Sequence, residues 1–268
     1  MARRLLICLF VTCLFSAVFI KAALSSEFDE LDKPPEGAHE GQMFLGAFFS
    51  FGWPQSELIN AEDKFVQGSY YTFENGISKE MQLSHQCYVL GASFEYMPLD
   101  HLGAGISLRR TYLVQSTAFG SEYENWKGYL YRDIALYINP AFHATSRKSW
   151  DFVLSPKIGY SIAKYNATPV AKKILEKYAV GSTPAEKYRG DTARESKGFS
   201  YGAELNCTLY FTGGLYVSIG GEWIRNTLKF DKGFDLTNPQ TDAVYTGKTS
   251  ATLDTYSVII KAGYAFSN

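Results

Sequence analysis

The residues of this chain best suited to chemistry are its four histidines, His39, His85, His101 and His143. A histidine beside a serine or a carboxylate can act as a general base or activate a hydroxyl nucleophile. His143 precedes Ser146 by three residues, but the sequence offers it no identifiable partner acid, and His85 has no evident nucleophile. No GxSxG, phosphate-loop or dinucleotide-binding glycine motif occurs. The sequence therefore predicts a protein that is not an enzyme and uses no cofactor.

The four cysteines do not indicate a metal site or a disulfide framework. Cys8 and Cys13 lie in an apolar stretch near the N-terminus, and Cys87 and Cys207 fall in different candidate strands, on opposite surfaces of the predicted wall. No CxxC or His/Cys cluster suggests zinc. The formal net charge is −1, so no overall basic field indicates a nucleic-acid partner.

The N-terminal residues have the organisation of a secretory signal peptide. Two arginines precede the apolar stretch Leu5–Ile20, and small residues follow it up to Ser26. We therefore expect a signal peptide over residues 1–25, with an uncleaved anchor helix as the alternative. Residues 26–41 are acidic and contain Pro34–Pro35, which predicts a periplasmic lead-in before a single large domain over residues 42–268.

Eight segments of that domain alternate between apolar residues and small or polar residues, as strands with two different faces do. The last segment shows the pattern most clearly, because Tyr256, Val258 and Ile260 share one face while Ser257 and Lys261 share the other. Most of the segments suit the ~9–11 residues of a tilted membrane strand better than the ~5–6 of a globular strand. The predicted strands are Gln42–Gly52, Leu83–Met97, Leu102–Val114, Tyr129–Pro140, Trp150–Ala163, Gly198–Phe211, Leu215–Lys229 and Thr255–Phe266.

The connections between these segments alternate between long and short. The long ones are Trp53–Gln82, Gln115–Gly128, Lys164–Lys197 and Phe230–Ser250. This alternation is typical of an all-β, eight-stranded antiparallel up-and-down transmembrane β-barrel, with long extracellular loops and short periplasmic turns. A soluble barrel would turn its apolar face inward, but the other face here carries glycines and charges that suit a narrow interior. The sequence therefore predicts a porin-like protein of the bacterial cell outer membrane, with its loops exposed at the cell surface.

The predicted inner face carries charges that could pair with one another away from lipid, and it also carries apolar residues that could line a partly apolar lumen. The expected charge network consists of Glu95, Arg109, Asp133, Asp151, Lys157, Glu204, Glu222 and Lys261. The expected apolar lining consists of Phe44, Phe48, Val89, Leu113 and Val153.

Two arginines interrupt the predicted outer face. Arg110 and Arg132 lie near the loop ends of their strands, at the expected outer rim. There they could contact the phosphates of lipid headgroups or of lipid A, because the penalty for a charge falls near the membrane interface. The alternative is that both side chains reach toward water without a specific ligand.

The closing residues Ala262-Gly263-Tyr264-Ala265-Phe266 resemble the GY-x-F ending of small outer-membrane proteins, particularly the OmpW family, with OmpX-type and OmpA-type barrels as near alternatives. This chain departs from that ending by adding Ser267 and Asn268. The resemblance implies that the barrel-assembly machinery recognises the terminal strand. An OmpW-like protein would be a narrow transport channel or a pocket for small hydrophobic molecules in contact with outer-membrane lipid.

Two further functions stay open at this point. The barrel could be a mount for loops that bind host extracellular-matrix ligands, as in an adhesin or surface antigen. The Lys164–Lys197 connection contains eight basic and four acidic residues, a net of +4 that would suit a polyanion. The third function is a lipid-modifying outer-membrane enzyme, for which His85 is the better of the candidate histidines.

Overall fold

The computed structural model describes residues 37–68, 70–72, 78–80, 82–117, 127–167, 169, 193–233, 235–237, 244–246 and 249–267. The predicted signal peptide lies outside the described residues, and so does all of the predicted lead-in before residue 37. Within the described ranges, no helix is both long enough and apolar enough to cross a membrane.

Within the described ranges, the chain forms eight long strands, four short strands and the α-helix Glu57–Val66. In chain order these are β1 (Gln42–Ser56), α1 (Glu57–Val66), β2 (Tyr70–Thr72), β3 (Ser78–Glu80), β4 (Leu83–Leu99), β5 (Leu102–Thr117), β6 (Lys127–His143), β7 (Trp150–Asn166), β8 (Ala193–Tyr210), β9 (Leu215–Lys229), β10 (Asp235–Thr237), β11 (Val244–Thr246) and β12 (Ser250–Ser267).

The eight long strands close into an antiparallel barrel in the order β1-β4-β5-β6-β7-β8-β9-β12, and β12 returns to β1. The predicted eight-stranded antiparallel barrel is therefore confirmed. The short strands form two separate hairpins, β2–β3 and β10–β11. We call the end of the barrel that carries α1 the loop end, and the end where short turns join the strands the turn end.

Several strands extend further at the loop end than the sequence pattern predicted. β1 reaches Ser56 and runs directly into α1, so the first part of the expected Trp53–Gln82 loop is regular structure. β7 and β8 likewise take up both ends of the expected Lys164–Lys197 loop. The backbone ladder continues past the apolar residues because its hydrogen bonds do not depend on side-chain polarity, whereas the alternation used for prediction stops where both faces become polar.

A 3₁₀ turn over Thr212–Gly214 joins β8 to β9 at the turn end. Gly213 and Gly214 have φ angles of 73° and 81°, in the left-handed region that favours glycine. A Cβ on Gly214 would also collide with the carbonyl oxygen of Ala265 on β12. Both the backbone conformation and the space at this turn therefore require glycine.

The two faces of the wall have opposite polarity. The outward side chains of β6, β7 and β8 are largely apolar and exposed, with Ile138, Ile158 and Phe199 exposed by 68%, 67% and 70%. The inward residues next to them are small or polar and buried, such as Ser200. This is the reverse of a soluble protein, in which apolar side chains fill the interior.

A charge on the outward face of the closing strand should block assembly. Val258 on β12 is exposed and lies opposite Phe51 on β1 and Gly221 on β9. In a barrel that spans a membrane, Val258→Arg should cost about 2–4 kcal/mol near the membrane midplane. We expect little heat-modifiable, folded protein on gels after refolding into detergent or lipid.

Ser257→Ala, one position along the same strand, is the matched control. The Ser257 side chain faces inward and is buried, and its hydroxyl has no hydrogen-bond partner within the described residues. The change should alter the free energy of unfolding by less than about 0.5 kcal/mol. Equal folding of the two variants would show that the outward face of β12 does not contact lipid.

Candidate functional site

A chain of alternating charges occupies the middle of the barrel. Arg109 Nη1 lies 2.9 Å from one carboxylate oxygen of Glu222, and Lys157 Nζ lies 2.6 Å from the other. Lys157 also pairs with Glu204, which in turn pairs with Lys261. Lys261 is largely buried and the other four side chains are almost wholly so. The structure thus brings five of the eight predicted inner charges into one connected network.

This network crosses the interior from wall to wall. Arg109 stands on β5 and Glu222 on β9, which are four strands apart in either direction around the ring. Their ion pair therefore spans the diameter of the barrel. The ring of Phe48 lies 5.8 Å from both Lys157 Nζ and Lys261 Nζ and packs on Gly91, where a Cβ would collide with it. The side chains thereby fill the interior at this level.

Asp133 lies inside the barrel but takes no ion-pair partner among the described residues. Its carboxylate accepts a hydrogen bond from the backbone N–H of Thr111 at 2.9 Å and another from the hydroxyl of Tyr131 at 2.7 Å. Arg109 points toward the same region, with its guanidinium 5.6 Å from the centre of the Tyr137 ring. Asp133 is therefore held by neutral donors beside the network.

Glu95 and Asp151, the remaining predicted network members, form a separate cluster with His143 at the turn end. His143 Nδ1 lies 2.6 Å from Asp151, and Nε2 lies 2.7 Å from Glu95. His143 therefore has two partner acids, although the sequence offered none that could be identified. The alternation pattern did not predict this cluster, because its members come from β4, β6 and β7. In addition, β6 continues to His143 rather than ending at Pro140.

The surroundings of His143 are aromatic and tightly packed. Phe44 stacks on the imidazole with ring centres 6.2 Å apart, and Tyr210 and Tyr216 pack against Phe44. Ala38, which precedes β1, is buried in the same cluster. Because carboxylates take both ring nitrogens, His143 acts as a double hydrogen-bond donor that ties three strands together. This cluster closes the turn end of the barrel.

A large apolar cluster closes the loop end, and α1 forms its cover. Ser56 caps the helix by accepting a hydrogen bond from the Leu58 N–H at 3.2 Å, and it donates one to the Thr252 carbonyl at 2.6 Å. The apolar face of α1 packs onto the inward side chains of the barrel wall. The cluster contains Leu58, Ile59, Phe65 and Val66 of α1 and, among its wall residues, Leu113, Leu130, Ala163, Leu228, Ala251 and Leu253.

Two acids of α1 also face the barrel. Glu62 is fully buried and accepts a hydrogen bond from the Tyr165 hydroxyl at 3.0 Å. Partial burial raises the pKa of Asp63 above its ordinary value. His85, the histidine considered for catalysis, lies 3.9 Å from Asp63 and 3.3 Å from the Gln115 amide nitrogen. His85 therefore lies between α1 and the wall, in contact with Asp63 and Gln115.

Helical periodicity in the sequence could have revealed α1. Leu58, Ile59, Glu62, Phe65 and Val66 recur at the one-face spacing of a helix, directly after a serine that can cap it. The expected Trp53–Gln82 loop includes this segment, so the prediction of a loop is wrong for Glu57–Val66.

The five residues predicted to line an apolar lumen all point inward and are buried. They do not form one continuous surface. Phe44 belongs to the cluster at the turn end, Phe48 and Val89 to the middle, and Leu113 to the loop end, while Val153 belongs to none of the three. The charge network lies at the level of Phe48, so the apolar parts of the interior are separated from one another.

Arg110 and Arg132 lie on the outward face, where the sequence placed them, and both are exposed. The Arg110 guanidinium lies 5.2 Å from the centre of the Tyr112 ring, and that of Arg132 lies 5.8 Å from the centre of the Tyr129 ring. Both arginines therefore stack on a tyrosine near the loop end.

Removing one carboxylate from the network should destabilise the barrel strongly. Glu204→Gln leaves Lys261 without its only ion-pair partner among the described residues and leaves Lys157 with Glu222 alone. An unpaired buried charge costs about 3–5 kcal/mol. The urea midpoint of refolded protein, followed by tryptophan fluorescence, should therefore fall clearly.

Glu195→Gln is the matched control on the same strand. Glu195 is exposed and faces outward, so its replacement should change the free energy of unfolding by less than about 0.5 kcal/mol. If Glu204→Gln unfolds at the same urea concentration as Glu195→Gln, the network does not hold the interior together.

Comparison with known proteins supports the fold. No protein-family model and no curated protein matches the sequence. Among solved structures, the chain is similar to the outer membrane protein OprG from Pseudomonas aeruginosa, with a TM-score of 0.51 and 11% sequence identity over 88% of this chain and 100% of that chain.

Two other barrels superpose more loosely. Neisserial surface protein A gives a TM-score of 0.41 with 9% identity over 84% of this chain and 100% of that one. Ail, the attachment invasion locus protein of Yersinia pestis, gives 0.38 with 11% identity over 85% and 99%. Because the identity to OprG is low, the likeness concerns the fold alone. The chain is a closed, eight-stranded antiparallel β-barrel with the fold of an outer-membrane barrel.

Proposed function

We propose that the chain spans a bacterial outer membrane and binds small hydrophobic molecules at the loop end of its interior, as an OmpW-like protein would. The observation that carries this proposal is the apolar inner wall at the loop end, covered by the separate amphipathic helix α1. Membrane barrels commonly have a polar interior. An apolar inner wall is therefore unusual for this fold and suits an apolar ligand.

The outward face supports a position in lipid. Its exposed residues include long runs of large apolar side chains, such as Ile134, Leu136 and Ile138 on β6. A contiguous apolar surface of this kind is not stable in water and marks contact with a membrane or a partner. A closed barrel also satisfies its backbone hydrogen bonds internally, which lipid requires. Tyr264 and Phe266 on the closing strand provide an aromatic end that the barrel-assembly machinery could recognise.

The packing of α1 supports a binding site beneath it. The wall residues Leu113, Leu228 and Leu253 share one buried apolar cluster with side chains of α1, a helix that is not part of the strand ladder. Displacement of α1 would leave the barrel hydrogen bonds intact while exposing an apolar surface. A small hydrophobic molecule that replaced the helix contacts would recover the free energy of that burial, about 25 cal/mol per Å².

The charge network limits where such a molecule could go. The ion pairs among Arg109, Glu222 and Lys157 lie in the middle of the interior, on the path from the loop end to the turn end. Passage of an apolar molecule through them would require the desolvation of charges. We therefore propose a pocket at the loop end. A bound molecule would leave it through the loop end again or sideways through the wall. It includes no catalytic step.

Methyl NMR of the protein in phosphatidylcholine nanodiscs tests the pocket, with naphthalene as the probe. We expect saturable shifts of the methyl signals of Leu58, Leu113 and Leu228, because naphthalene would contact the loop-end cluster. Leu228→Asn places a polar group on that surface and should weaken the saturable binding roughly tenfold or more, equivalent to about 1.4 kcal/mol.

The lipid-facing Leu136 and Leu205 provide the control within the same sample. Naphthalene dissolved in the lipid should shift their methyl signals without saturation and equally in Leu228→Asn. Shifts of the same size and concentration dependence in both groups of leucines would mean that naphthalene only partitions into lipid, and the pocket would be rejected.

The closed interior favours one alternative, a surface adhesin whose barrel is a rigid mount. Separate clusters around His143, Lys157 and α1 fill the turn end, the middle and the loop end. Planar bilayers should show no steady conductance for either function. Heparin binding that is lost on deletion of residues 170–190, together with no saturable naphthalene binding, would favour the adhesin.

A further inference from the structure

Four cations lie on the outward face of consecutive strands, each on the loop-end side of an exposed apolar residue of its own strand. Arg110 on β5, Arg132 on β6, Lys164 on β7 and Lys197 on β8 are all exposed. The next outward residue toward the turn end is apolar and exposed on each strand. These residues are Leu108, Ile134, Ile162 and Phe199 respectively. The cations therefore mark the edge of the apolar belt, where lipid headgroups meet a barrel that spans a membrane.

The strand register makes these cations a contiguous group. Arg132 lies directly opposite Lys164. Arg110 pairs with Ile134 and is thus the diagonal neighbour of Arg132, and Lys197 pairs with Ile162 and is the diagonal neighbour of Lys164. Direct neighbours are ~5 Å apart at Cβ and diagonal neighbours ~7–8 Å, distances that long side chains bridge. We call these four residues the cationic staircase.

Among the described residues, no carboxylate neutralises the staircase through an ion pair. None of its four side chains forms an ion pair with a carboxylate in the part of the chain that the structure describes. Glu195 lies opposite Lys164 on the same face, so the local charge is four cations against one carboxylate, or +3. Like charges directly opposite one another, as at Arg132 and Lys164, are destabilising in a sheet unless an anion joins them.

The two arginines are also held in place. Tyr112 and Tyr129 pack together with ring centres 5.7 Å apart, and each carries a guanidinium on its face. Stacking on an aromatic ring leaves the N–H donors of a guanidinium free for a bidentate contact, the geometry that matches phosphate. The arginines are thus oriented before any ligand arrives.

On β9 and β12, by contrast, a carboxylate of the protein pairs with the outward arginine. Arg225 on β9 also faces outward near the loop end, but Asp254 on β12 binds it through both carboxylate oxygens, at 2.8 and 2.9 Å. Trp223 donates a further hydrogen bond to the same carboxylate at 3.1 Å. This side neutralises its arginine within the protein, whereas the staircase leaves its cations available to an external anion.

We propose that the cationic staircase is a binding site for the phosphate groups of an outer-leaflet lipid, with Arg110 and Arg132 as the phosphate clamp. The proposal rests on the membrane-spanning position proposed above. A lipid with two phosphates on a sugar headgroup, as in lipid A, would match the contiguous cations of the staircase and their position beside the apolar belt. Lys164 and Lys197 would extend the contact along the headgroup.

Native mass spectrometry of the detergent-refolded protein tests the site, with bisphosphorylated lipid A as the probe and its dephosphorylated form as the comparison. We expect the native protein to prefer the bisphosphorylated form at least tenfold. Arg110→Gln/Arg132→Gln should abolish this preference, and Arg110→Lys/Arg132→Lys should reduce it, because lysine keeps the charge but loses the bidentate fork.

Arg147→Gln/Lys148→Gln removes the same two charges from exposed side chains at the turn end and should leave the preference intact. Unchanged heat-modifiable migration identifies variants that have folded. If the glutamine pair at Arg110 and Arg132 does not fold, Lys164→Gln/Lys197→Gln provides the second test, with an expected weakening of several-fold.

Four results would overturn the proposal. Equal loss in the turn-end variant would show that only overall charge matters, and equal binding of the dephosphorylated lipid would exclude phosphate recognition. Native-like binding by the lysine pair would exclude the arginine clamp, and displacement of lipid A by equimolar inorganic phosphate would assign the site to a free anion. A protein that stays soluble without detergent would instead overturn the membrane position, a result that lipid A binding alone does not decide.

Discussion

Closure of the β1–β12 seam is the constraint on which the rest of the barrel depends. An open edge would leave a row of backbone N–H and C=O groups unpaired, at a cost of several kcal/mol each in apolar surroundings. The pairing runs the full length of β1, from Gln42 opposite Ser267 to Ser56 opposite Leu253. A slip of one residue would turn Phe49 and its neighbours inward, so closure also determines which face meets the surroundings.

Closure with eight strands leaves an interior just wide enough for side chains. Paired charges occupy the middle of that interior. Glu204 and Glu222 lie directly opposite each other on β8 and β9, an arrangement that would be repulsive alone. Arg109, Lys157 and Lys261 make it favourable by placing a cation between or beside the carboxylates. The Arg109–Glu222 ion pair joins strands on opposite sides of the ring, so the network braces the wall across the interior.

Different kinds of side chain close the two ends of the barrel, so the interior is asymmetric along the barrel axis. At the turn end, His143 joins carboxylates from two other strands, β4 and β7, in a packed aromatic setting. At the loop end, α1 covers an apolar wall through side-chain contacts and one capping residue, Ser56. These contacts of α1 are made by side chains and not by the strand ladder, whereas separation of the charge network would leave buried ions unpaired.

The sequence by itself determined the barrel, because the two-residue alternation of strands such as Leu215–Lys229 records directly which side chains avoid water. The same alternation placed Lys261 and Glu204 inside and Arg110 outside. It did not determine which charges meet, because Arg109 reaches Glu222 across the diameter and His143 finds its acids on two other strands. Nor did it extend to α1 or to the neighbouring positions of Arg132 and Lys164. Only the tertiary structure decided those features, because strand register and ring closure bring together residues that are distant along the chain.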